Sequence, residues 1–227
     1  MSEFVLVDTD ILFFLHSRPT GPSKPSFVFV NALTGSTDLW EAVIAPELRL
    51  QGFGTLTYDY RGQGQSRYGA TASLDPAEIT ADLRLLVAAE RPERPIFVGL
   101  SIGGLFAIEA LLSGVEAAGL VLINTLRKPC VRLDWINQGM GRLVAAGGFP
   151  LLLDAMLPML VNPDKLAEMR DARLGSAPYI PASDDDPAYR LMTGGASANW
   201  DVPYEDLSVP VLILNGLQDR VFRLALF

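Results

Sequence analysis

Short apolar runs alternate along the chain with amphipathic stretches of helical period. Residues 3–7 and 11–16 are two such runs on either side of the turn Asp8-Thr9-Asp10, a pattern that predicts an antiparallel hairpin. A Pro/Gly/Ser loop over residues 19–25 leads into a continuous apolar strand at 26–31. A helix is predicted around 38–50, then a strand at 54–58 and a Gly-rich turn. Asp75-Pro76 opens the next helix, with proline in its first turn and Ile79, Leu83, Leu86 and Val87 on one face. A strand at 95–100, a helix at 102–113 and a strand at 119–124 follow. Strands separated by helices of this length imply βαβ crossovers. The predicted fold class is therefore α/β, a mostly parallel, doubly wound sheet with an N-terminal antiparallel hairpin.

Between Thr125 and Asp206 the alternation stops, and one further strand appears at 209–214. The intervening segment is helix-like, rich in Leu and Met, and carries the acidic run Asp184-Asp185-Asp186. It reads as a helical cap: core over 1–125, cap over 126–206, core again over 207–227. The longest apolar stretch, 143–161, approaches membrane-span length but is broken by Gly147-Gly148, Pro150, Asp154 and Pro158. Two short buried or lid helices are predicted there, with no membrane partner. Met1-Ser2-Glu3-Phe4 lacks the pattern of a secretory leader, so a cytoplasmic location is expected.

Composition narrows the chemistry. The 227 residues carry 18 Lys+Arg against 26 Asp+Glu, a net charge of −8, and 49 % are apolar. That is apolar enough for a packed core and too acidic for a nucleic-acid partner. The length suits one α/β domain with an insertion or two small domains. One cysteine, Cys130, excludes an internal disulfide and fits a reducing compartment. One histidine beside one cysteine argues against a zinc site of the usual type, so neither metal nor cofactor is expected. A mechanism needing a histidine base has a single candidate, His16.

Gly99-Leu100-Ser101-Ile102-Gly103 is G-x-S-x-G, set between an apolar strand and a helix. A serine on such a turn projects its hydroxyl from the top of the sheet. Small flanking residues let strand and helix approach, and the helix N-terminus offers N–H donors to a developing oxyanion. The other reading is a Gly-rich βα turn with an incidental serine. A dinucleotide loop would need glycine at 101, and a phosphate loop would need Gly-Lys before Ser/Thr.

With these features the chain resembles the α/β-hydrolase superfamily of serine hydrolases. Asp59-Tyr60-Arg61-Gly62-Gln63-Gly64-Gln65-Ser66 is similar to that family's D-x-R-G-x-G-x-S turn, in which the glycines shape a loop without implying catalysis. Asn31-Ala32-Leu33 stands where the family has His-Gly-x, which implies an oxyanion hole built from the N–H groups of Leu33 and Ile102. The Asn-x-Leu variant resembles β-ketoadipate enol-lactone hydrolases, while Ala32-Leu33-Thr34-Gly35 also resembles homoserine acetyltransferases. The resemblance spans most of 26–221, and the cap matches in position only.

The family places its triad acid in a G-x-x-D turn after the strand that follows the cap. Gly216-Leu217-Gln218-Asp219 matches, and Asp219 would orient an imidazole. The histidine expected beyond an eighth strand is absent from the sequence, which points to a missing last strand and helix. His16 should lie at the bottom of the sheet, ~20 Å from Ser101, as a partly exposed strand-end residue. The nucleophile, acid and oxyanion hole are thus expected without their general base, in a polypeptide of little or no activity. Three explanations stand: a shortened copy, a binding protein that retains the pocket, or a base from another subunit. With its neighbour missing, the strand at 209–214 would be an uncovered apolar edge able to pair in a homodimer.

The enol-lactonase likeness suggests a small ester or lactone as substrate. Arg127, Lys128 and Arg132 could hold its carboxylate, or could form a solvated basic edge. Trp135, Phe149, Met156, Met159 and Trp200 are candidate pocket lining that core packing would explain equally well, and Trp40 is expected to pack on the sheet.

Overall fold

Continuous apolar strands linked by amphipathic helices are stable only when a parallel sheet is covered by those helices. The computed structural model has that arrangement, and it describes residues 2–7, 10–21, 23–69, 73–125, 130–217 and 219. Strands β1 (Ser2–Val7), β2 (Asp10–Ser17), β3 (Ser26–Val30), β4 (Gly54–Tyr58), β5 (Ile96–Leu100), β6 (Gly119–Ile123) and β7 (Val211–Leu214) form one sheet. Its order is β1-β2-β4-β3-β5-β6-β7. The first two pairings are antiparallel, and every pairing from β4 to β7 is parallel.

The helices are α1 (Thr37–Glu41), α2 (Ile44–Leu50), α3 (Pro76–Glu90), α4 (Ile102–Leu112), α5 (Val131–Leu160), α6 (Pro163–Arg173) and α7 (Pro187–Gly195). The single helix predicted over 38–50 is two. Pro46 in a continuous helix would clash with the Ala42 carbonyl, and the chain breaks at Val43 (φ −144°, ψ −58°) before restarting. The predicted face of α3 is correct: Ile79, Leu83, Leu86 and Val87 are all buried against the sheet. On the other face Trp40 stacks on Phe29 with ring centroids 4.7 Å apart.

Helices α5–α7 lie between β6 and β7, where the insertion was expected. Gly147 and Gly148 leave helical geometry (φ 68° at Gly148) and divide α5 into two segments. Val144, Leu152, Met156 and Met192 form a small core of the insertion. β7 pairs with β6 alone among the described strands, and its Val211, Leu212, Ile213 and Leu214 are 40, 54, 39 and 46 % exposed. The expectation about a further strand and helix after β7 falls on residues outside those described.

Candidate active site

A parallel sheet delivers all its strand ends to one rim, and the loops leaving β3, β4, β5, β6 and β7 meet there. Ser101 occupies the turn from β5 into α4, with φ 56° and ψ −125°. Few non-glycine residues adopt such a backbone, and its strain persists only where the surroundings enforce it. Here they do. A Cβ on Gly99 would lie 2.3 Å from the Gly104 Cα, and one on Gly103 would lie 2.3 Å from the main-chain oxygens of Val30 and Asn31. Ser101 N–H donates to the Ile123 carbonyl at 2.9 Å, and the Ser101 carbonyl accepts from Thr125 Oγ1 at 3.0 Å. The elbow is tied to the end of β6 on one side and abuts the end of β3 on the other.

Ile102 is the first residue of α4, so its N–H is one of those that an α-helix leaves without an intrahelical partner. Leu33 lies in the loop after β3 and packs against the core of the insertion. Above it, a Cβ on Gly195 of α7 would come 2.5 Å from Leu33 Cδ1 and 3.5 Å from Ile102 Cδ1. The two predicted oxyanion donors thus belong to neighbouring residues under one helix of the insertion.

The predicted acid is reached through β6. The Asn124 N–H donates to the Leu214 carbonyl and the Asn124 side chain accepts from the Gly216 N–H, both at 2.9 Å. Asp219 N–H closes the turn onto the Gly216 carbonyl at 3.0 Å. Asp219 therefore stands beyond the end of β7, two strands across from Ser101, on the same rim.

His16 lies elsewhere. It pairs with Leu56, Leu56 with Val28, and Val28 with Phe97. Three strand spacings and four residues of rise separate it from Ser101, about 20 Å. As a residue it is partly exposed, as expected, while its side chain is only 7 % exposed and bonds Glu90 through Nδ1 at 2.7 Å.

The candidate lining is divided between solvent and two packed clusters. Trp135 is 79 % exposed, because Leu133, two positions earlier and on the opposite side of the helix, takes the buried place. Met156 is buried inside the insertion, with Phe149 and Met159 at its margin, and Trp200 belongs to the main core. Arg132 is exposed in the first turn of α5, and Arg127 and Lys128 lie outside the described residues.

The turn after β4 holds more than a loop. Arg61 makes a two-pronged bond to Asp82, both contacts at 2.6 Å, and a third to Asp10 at 2.7 Å. Asp59 accepts from the N–H groups of Thr37 and Gln65, at 2.7 and 2.8 Å, and burial still pushes its carboxyl above the usual range. Gln63 reaches across to the Ala32–Leu33 loop. The sequence offered only the spacing of this motif, which marks a loop and is silent about the partners.

The model of the Alpha/beta hydrolase family matches residues 27–226, nearly nine-tenths of the chain. The chain belongs to the alpha/beta hydrolase family. Among curated relatives, this hydrolase is similar to the pimeloyl-[acyl-carrier protein] methyl ester esterase of Pectobacterium carotovorum, 27 % identical over 221 residues covering 90 % of this chain and 80 % of that protein. Its structure is similar to that of MGS-M2, an alpha/beta hydrolase enzyme from a Medee basin deep-sea metagenome library. That likeness has a TM-score of 0.81 at 18 % identity, covering 98 % of this chain and 82 % of the other. It is also similar to the enol-lactonase from Burkholderia xenovorans, with a TM-score of 0.72 at 21 % identity over 91 % and 78 % of the two chains. These structural likenesses carry the alpha/beta hydrolase fold, which agrees with the sheet order and the elbow.

Proposed function

We propose that this alpha/beta hydrolase cleaves a small carboxylic ester or lactone through an acyl-enzyme at Ser101. The observation that carries the reading is the Ser101 backbone, held at φ 56° between glycines whose replacement would collide with neighbouring main chain. Ser101 Oγ attacks the carbonyl carbon as its proton passes to an imidazole base, which later gives it to the leaving alkoxide. The π electrons move onto the carbonyl oxygen, where the Leu33 and Ile102 N–H groups stabilise the charge. Collapse of that intermediate breaks the bond to the alkoxide, which leaves with a proton. Water then releases the acid by the reverse sequence. Esterase and lactonase relatives support the substrate class. Residues 126–206 serve as the lid, since Gly195 of α7 closes over Leu33 and Ile102.

On this reading Asp219 orients a catalytic imidazole other than that of His16, which faces the opposite rim. The position of His16 also favours a second reading, a ligand-binding protein on the same fold. An activated nitrophenyl ester separates the two. Its leaving group needs little acid assistance, while deacylation needs a base, so one equivalent of nitrophenol and a stable acyl mass on Ser101 are expected. Equal nitrophenol release by the chain and by Ser101→Ala would overturn the enzyme reading. Transfer of the acyl group to an acceptor other than water would share the first half of the reaction.

A further inference from the structure

We propose that Gln63 is the residue that aims the oxyanion site. The inference rests on the reading of Ser101 and Leu33 given above. Gln63 Nε2 donates to the main-chain carbonyls of Ala32 and Leu33, both at 2.8 Å. A trans peptide is planar, with its C=O and N–H on opposite sides. Holding the Ala32 carbonyl toward Gln63 therefore turns the Leu33 N–H away from Gln63. The Ala32 carbonyl also accepts from the Gly35 N–H at 3.0 Å, so both its lone pairs are engaged and the peptide has no incentive to flip.

Gln63 cannot swivel either. Its Oε1 accepts from Asn31 Nδ2 at 3.2 Å and from the Tyr60 N–H at 3.4 Å, so both amide hydrogens and both acceptor positions are occupied. The next layer is equally constrained. Asn31 Nδ2 also donates to the Tyr58 carbonyl at 2.9 Å, Asn31 Oδ1 accepts from Trp40 Nε1 at 2.6 Å, and the Asn31 carbonyl accepts from the Tyr60 hydroxyl. The partners fix the orientation of both amides, since donors face only acceptors. The network is buried, with Gln63 6 % exposed and Asn31 fully enclosed. A buried network with every member satisfied specifies one geometry. Gln63 is thus a positioning residue that acts through Leu33 and does not touch substrate.

The test uses the full chain and two probes followed by NMR. Phenylboronic acid accepts a lone pair from Ser101 Oγ, forming a B–O bond while the hydroxyl proton passes to buffer, and the resulting tetrahedral anion needs the oxyanion site. Benzamide is neutral and trigonal and does not need it. Gln63→Met, which keeps the length and removes both donors, is expected to weaken boronate binding about tenfold or more while benzamide binding changes less than about twofold. Equal losses for both probes, or no loss for boronate, would overturn the proposal. The unaltered chain supplies a second readout that no folding defect can affect. Boronate binding should move the Leu33 amide proton downfield, and an unmoved Leu33 amide in a chain carrying a Ser101 adduct would also overturn it. A tetrahedral boron signal that survives Ser101→Ala would remove the nucleophile reading itself. An adduct that needs Ser101 but is indifferent to Gln63→Met removes only the role of Gln63.

Discussion

The side-chain oxygen of Asn124 accepts the Gly216 N–H at 2.9 Å, and this bond hangs the turn bearing Asp219 on the strand beside Ser101. Asn124 reaches it with a backbone in the left-handed region, φ 46°, which asparagine tolerates better than most residues. Asn124→Gly keeps that backbone and deletes the bond. The expected cost is about 1 kcal/mol of stability, read from the urea midpoint, together with a loss of any rate that depends on Asp219. An unchanged midpoint and rate would mean that the turn is held by other contacts.

Arg61 carries the buried charge beneath the loop after β4. Its side chain and that of Asp82 are 9 and 2 % exposed, and Asp10 takes a third bond. Arg61→Leu would strand two buried carboxylates and should cost about 3–5 kcal/mol, seen as a large fall in the denaturation midpoint. Removing Asp82 as well, in Arg61→Leu with Asp82→Leu, should recover part of that loss. A double variant no more stable than the single one would show that Asp82 is not the stranded partner.

Gly103 sets how closely α4 approaches β3. Gly103→Ala puts a methyl group 2.3 Å from two main-chain oxygens, which cannot rotate away as a side chain would. The expected result is a destabilisation of about 1–3 kcal/mol with loss of Ser101 acylation. Retention of both stability and acylation would show that the elbow has slack.

Glu109 on α4 gives the fold a pH dependence. Burial raises its carboxyl above the ordinary 4.5, and the hydrogen bond from Thr80 Oγ1 at 2.7 Å only partly offsets this. The folded chain then holds the proton more tightly than the unfolded chain. The contribution is fully present below the unfolded value and is lost as pH rises through the folded one. Glu109→Gln retains an acceptor for Thr80 and should raise Tm by about 1–3 °C at neutral pH, the gap closing toward pH 4.5. A gap that stays constant with pH would contradict this assignment.

Periodicity and turn chemistry made the sheet legible from the sequence, because each strand carries its own apolar run and each helix its own face. The break was a local matter of Pro46 in α2. Ser101 was legible because G-x-S-x-G encodes a backbone problem that small residues solve. His16 was placed at the wrong rim for catalysis by strand direction alone. The parts that were not legible depend on contacts distant in sequence. Gln63 meets the Ala32–Leu33 loop across 30 positions, and Asn124 meets Gly216 across 92. Trp135 and Met156 show the same limit within the insertion, where apolar residues on successive turns of α5 divide between solvent and core with no period to announce which.

On the proposed reading, Ser101, the Leu33 and Ile102 N–H groups and Asp219 act together with an imidazole. Hydrolysis of a nitrophenyl ester as free imidazole is added tests it most directly. A saturable increase of about tenfold or more, lost in both Ser101→Ala and Asp219→Ala, is predicted. An imidazole response that is linear and identical in the unaltered chain and in Ser101→Ala would contradict it.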